Sequence, residues 1–81
     1  MKTLTKENLS LYLFEDAEPV AMNADNIIVG EPPKLIIADC NSSDTVLHEG
    51  VTATTDWAGY KYLFDGTTWT PNSNWVAPRV A

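Results

Sequence analysis

A chain of 81 residues holds one domain with a small core; its lone Cys40 rules out an internal disulfide, and its lone His48 argues against a zinc cluster. Eleven Asp and Glu stand against five Lys and Arg, a net charge of −6, with the cations scattered singly, which argues against nucleic-acid partners. The longest apolar runs, such as Leu35-Ile36-Ile37-Ala38, fall far short of the ~20 residues a membrane helix needs, so no membrane or secretory segment is expected and synthesis in the cytoplasm is.

Taken in chain order, the polar opening Met1 to Asn8 reads either as a short helical turn or as an arm that orders on contact. From Leu9 to Glu15 strict alternation places Leu9, Leu11 and Leu13 on one face of a strand and Tyr12 with Phe14 on the other. Two apolar faces mean a central strand in a two-layer structure or a strand covered by a partner. An acidic turn at Asp16 to Glu18 leads to a weaker strand at Pro19 to Met22, and Asn23-Ala24-Asp25-Asn26 makes a turn. Two short strands follow, Ile27 to Val29 and Lys34 to Ala38, separated by Gly30 and Pro32-Pro33. After a polar loop at Asp39 to Asp44 a strand resumes at Thr45 to His48, and Val51 to Thr55 is either an edge or a connection.

The clearest local signal is Tyr60 to Phe64, then Asp65-Gly66, then Thr67 to Thr70, which predicts an aromatic hairpin. A two-residue type I′ loop would set Phe64 opposite Thr67 and Tyr62 opposite Trp69, and a longer loop would shift that pairing. Pro71 ends the second strand, and Asn72-Ser73-Asn74 leads to Trp75, Val76 and a tail containing Pro78. The expected fold is mainly β: one small antiparallel domain, a sandwich or partly open barrel, ending in that hairpin. A domain of this size buries only about 60% of the surface its unfolded chain exposes. With neither cross-link nor metal to help, stabilisation by neighbouring chains is expected, as an oligomer or docked on a larger assembly.

No residue set points to catalysis, a metal or a cofactor, so the chain is not expected to be an enzyme. His48 and Glu49 point to opposite faces of a strand, and His48 reads as an ordinary, partly exposed side chain. Asp39 next to Cys40 should raise its thiol pKa, the opposite of what a reactive thiolate needs. Asp39, Asn41, Ser43 and Asp44 alternate oxygen ligands as a calcium loop does, but the glycine and the bidentate glutamate of such a loop are absent, and a solvated turn explains them. Glu15, Asp16 and Glu18 read first as a hydrated turn and second as a contact for a basic partner. Trp57, Trp69 and Trp75 either stack on sugar rings or fill core and intersubunit contacts, and the second reading is favoured.

The stretch Asp56-Trp57-Ala58-Gly59-Tyr60-Lys61-Tyr62-Leu63-Phe64-Asp65-Gly66-Thr67-Thr68-Trp69-Thr70, followed by Asn72 and Trp75, resembles a recurring ending of small phage-encoded proteins. Met1 to Phe14 and Ile36 to Asn41 likewise resemble small proteins of tailed cyanophages. The resemblance implies a virion structural protein, a capsid decoration or cement protein bound to other virion proteins. The alternatives are a tail-fibre or baseplate accessory that contacts glycans, or a host-takeover inhibitor with an acidic surface. The residues expected at partner contacts are Tyr12, Phe14, Trp57, Tyr60 and Trp75, together with the N-terminal arm.

Overall fold

The computed structural model describes residues 1–76, so the tail with Pro78 lies outside the described residues. Eight strands run in chain order: β1 (Lys2–Lys6), β2 (Leu9–Phe14), β3 (Val20–Met22), β4 (Ile27–Val29), β5 (Leu35–Ile37), β6 (Val46–His48), β7 (Tyr62–Phe64) and β8 (Trp69–Pro71). Among the described residues there is no helix, and every strand pair is antiparallel, as the short spacing of turn residues predicts. One sheet, in the order β6-β1-β2-β7-β8, curls into a half-barrel, and a smaller sheet, β3-β4-β5, stands beside it.

The opening of the chain is neither arm nor helical turn. Lys2–Lys6 forms a strand flanked by neighbours on both sides, with Thr3, Leu4 and Thr5 fully buried. Polarity misleads here because threonine is a strand residue whose hydroxyl is satisfied inside the sheet: Thr3 Oγ1 donates to the Tyr12 carbonyl at 2.9 Å. A two-residue turn joins β1 to β2, with Glu7 and Asn8 both at positive φ (52° and 66°), the backbone a type I′ hairpin requires.

Strand β2 departs from strict alternation. Its register against β1 pairs Leu4 with Tyr12 but Thr5 with Ser10, so Leu11 is an extra residue in a β-bulge. The bulge resets the parity of the strand. Leu9 and Leu11 therefore share a face with Tyr12 and Phe14, whereas Leu13, paired with Thr3, turns to the other. That richer face meets the smaller sheet: Leu4 and Leu11 form one cluster with Ile27, Val29, Ile37 and Cys40, and Leu9, Tyr12, Phe14, Val20, Met22 and Leu47 pack against it. The Tyr12 and Phe14 rings lie parallel, 5.9 Å apart.

The opposite face of the half-barrel is closed by residues 50–59, which run as a connection and not as an edge strand. Val51 exchanges backbone hydrogen bonds with Met1, and the Trp69 indole N–H donates to the Thr52 carbonyl at 2.9 Å. In the C-terminal hairpin Phe64 pairs with Trp69 and Tyr62 with Pro71, so four residues, Asp65 to Thr68, make the turn. The Asp65 carboxylate accepts from the backbone N–H groups of Thr67 and Thr68, which stabilises the longer loop and moves the register away from the two-residue alternative. Tyr62 and Trp69 still meet diagonally, edge to face at 6.2 Å, and the Phe64 and Trp69 rings are 4.3 Å apart.

Candidate functional site

The bulge and the Glu7-Asn8 turn together build a cleft at the end of the β1–β2 hairpin. Its floor is apolar, from Leu9, Leu11 and the buried Cys40, and its volume is about 250 Å³. Tyr12 and Tyr60 wall it, and Lys6, Glu7 and Asp39 stand at its rim. Tyr60 is held at φ +69°, a left-handed backbone that a bulky side chain rarely adopts, and the residue is 53% exposed. Two hydrogen bonds fix that backbone: Tyr60 N–H donates to the Ser10 carbonyl at 2.9 Å, and the Asn72 side-chain amide donates to the Tyr60 carbonyl at 2.8 Å.

Charge around the cleft is unevenly matched. Lys6 Nζ lies 3.4 Å from Asp44, and this pairing raises the lysine pKa. Among the described residues Glu7 and Asp39 have no ion-pair partner. Burial pushes the Tyr12 phenol up, with Tyr60 and Asp39 adding to it. Burial does the same to the Cys40 thiol, and Asp39 is the next cause, so the neighbouring carboxylate acts in the direction the sequence predicts.

The five contact residues read from the sequence go to four places. Tyr12 and Tyr60 meet at the cleft. Phe14 lines a second groove, about 400 Å³, with Leu13, Val29 and Leu35 and with Glu15, Glu18 and Lys34 at its margin. Trp57 sits on the other side of the half-barrel, where its indole N–H donates to Ser10 Oγ at 2.9 Å. That contact orders a chain of protons. The indole can only donate and the Tyr12 carbonyl can only accept, so Ser10 must donate to Thr3 Oγ1 across their 2.7 Å contact while Thr3 donates to Tyr12. Trp75 lies beneath the Lys61 ammonium, 4.9 Å from its ring centroid. Lys61 also reaches the Asp56 carboxylate at 3.0 Å, and Tyr62 donates to it at 2.8 Å. The Tyr62 hydrogen bond, then Lys61, lowers the Asp56 pKa to about 2.

Residues weighed for chemistry are occupied with structure. His48 Nε2 is 3.3 Å from Thr5 Oγ1, its ring stands edge-on to Phe64 at 5.1 Å, and among the described residues no carboxylate comes within ion-pair distance of it. In the Asp39 to Asp44 loop, Asn41 Oδ1 accepts from the Ser43 and Asp44 backbones, and Asp44 accepts from the Asn41 backbone, so these oxygens face inward on the turn. Among the described residues no group of three or more His, Cys, Asp or Glu is placed to hold a metal ion. Compared with known protein families, curated proteins and solved structures, the chain matches none.

Leu9, Leu11 and Asp39 escaped the sequence reading of the site, and Lys6 and Glu7 entered it only as part of the N-terminal arm. The signal was a pair of turn-tolerant positions, Glu7-Asn8, between two alternating runs, obscured because Glu is not a residue that favours positive φ.

Proposed function

We propose that this chain is a non-catalytic structural protein of a tailed-phage particle, a capsid decoration or cement protein that docks on other virion proteins. The observation that carries a docking role is the outer face of the smaller sheet. There the register aligns Ala21, Ile28 and Ile36 in one apolar row across all three strands, and Ile36 is 57% exposed. This row borders the open edge of β5, whose Leu35 is also exposed. An edge strand with apolar side chains and unpaired backbone groups is a template for strand addition by a neighbour. The resemblance of the Asp56 to Thr70 stretch to phage-encoded endings supports the virion as the place where that neighbour is found, and the net charge of −6 favours basic surfaces.

Mass spectrometry of purified particles of the phage that encodes the chain, with peptide counting, tests the reading. Many copies per particle are expected for a decoration protein. A handful of copies replaces it with a tail or baseplate accessory. Absence from particles overturns the virion role and points to a host-directed inhibitor.

A further inference from the structure

We infer that the cleft between the β1–β2 turn and Tyr60 seats the side chain of an arginine presented by a partner protein. This specifies the partner's chemistry, and it rests on the reading above only in taking the chain to work by binding. Three features of the cleft converge on it.

The first is size and lining. A cleft of about 250 Å³ is smaller than the roughly 300–1,000 Å³ of small-molecule sites, so it takes one long side chain. Its floor of Leu9 and Leu11 suits an alkyl stem. The second is the pair of tyrosine walls. A planar guanidinium stacks on aromatic faces, whereas a compact, strongly hydrated ammonium gains less from them. The third is charge. Lys6 is held by Asp44, which leaves Glu7 and Asp39 as the rim carboxylates without an ion-pair partner among the described residues. A guanidinium seated against these tyrosines presents its N–H fork to such carboxylates.

The backbone bears on the same place. Glu7 at φ +52° and Tyr60 at φ +69° are the residues that project the carboxylate and the ring at the cleft, and each is held in a conformation that costs stability. Asparagine or glycine would relax both positions and would remove the groups that make the cleft complementary to a cation.

The experiment is a titration of the isotopically labelled full chain, followed by NMR, with N-acetyl-arginine methylamide as the probe. The citrulline analogue, of the same shape without the charge, is the control. Saturable amide shifts are expected at Leu9, Leu11, Cys40 and Tyr60 with the arginine probe and not with citrulline. Asp39→Asn, an exposed loop substitution that keeps the fold, is expected to weaken binding about threefold to tenfold. Equal shifts with both probes, shifts centred on the Asp16 to Glu18 turn, no saturable response, or unchanged affinity in Asp39→Asn would each overturn the assignment. The probe needs no particle: a missing arginine response leaves the virion role standing, and absence from virions leaves an arginine response standing.

Discussion

Replacing Ser10 with alanine tests the relay from Trp57 through Ser10 and Thr3 to the Tyr12 carbonyl. Ser10 and Thr3 are fully buried, so water does not reach the hydroxyl between them. The substitution removes the acceptor of the Trp57 indole N–H at 2.9 Å and the donor to Thr3 Oγ1 at 2.7 Å. Each intramolecular hydrogen bond contributes about 1 kcal/mol net, so the loss should be about 2 kcal/mol. For a domain of this length that is a fall in melting temperature of roughly 8–16 °C. Urea and thermal unfolding, followed by tryptophan fluorescence and circular dichroism, measure it. Thr3→Val breaks the relay one step along, so a double-mutant cycle with Ser10→Ala should return a coupling of about 1 kcal/mol. A Ser10→Ala variant within about 0.5 kcal/mol of the parent, or additive effects in the cycle, would refute the relay.

Further outcomes follow from the turns and from Asp56. Because Asp56 ionises near pKa about 2 in the fold and near the ordinary carboxylate value of about 3.9 when unfolded, the unfolded chain binds more protons between those values. Stability from this group is therefore complete above pH about 4 and is lost as the pH falls toward about 2. Tyr62→Phe, which removes the first cause of the shift, should bring the Asp56 carboxyl back toward the usual range in an NMR titration. Gly30 sits at φ +98°, and a Cβ there would lie 3.0 Å from the Pro32 carbonyl oxygen, so Gly30→Ala should cost about 1–3 kcal/mol in chemical denaturation. Changing Glu7-Asn8 to Asn-Gly should stabilise the first hairpin by about 1 kcal/mol in the same assay while abolishing the arginine response, a separation of stability from binding.

Much of the architecture was legible in the residues, because short β-branched runs punctuated by Asn, Asp, Gly and Pro leave little but antiparallel strands. Strands β2 to β8 lie within a residue or two of where alternation and turn chemistry put them. What escaped was non-local. Lys-Thr-Leu-Thr-Lys reads as polar until the sheet supplies partners for both hydroxyls, and the fold then places it near the middle of the larger sheet. The bulge at Leu11 is set by the register against β1, which no window on β2 alone contains, so alternation by itself places Leu13 on the face of Leu9 and Leu11. Of the two hairpin loops the residues allow, the longer forms because Asp65 caps the turn with its own side chain, a competing use for the aspartate of an Asp-Gly pair. At the site, aromatic residues identified Tyr12 and Tyr60, but their convergence depends on Ser10 fixing Tyr60 from across the sheet.

The strand order β6-β1-β2-β7-β8 also constrains how the molecule assembles itself on the ribosome. The β1–β2 hairpin ends up in the interior of the sheet, yet the segments that flank it, Val46–His48 and Tyr62–Phe64, are made more than thirty residues after it. Until then both margins of the nascent hairpin are unsheltered, and closing the sheet requires contacts between distant parts of the chain, the slow kind. Mispairing is thus most costly before β6 and β7 have docked on the two sides of that hairpin.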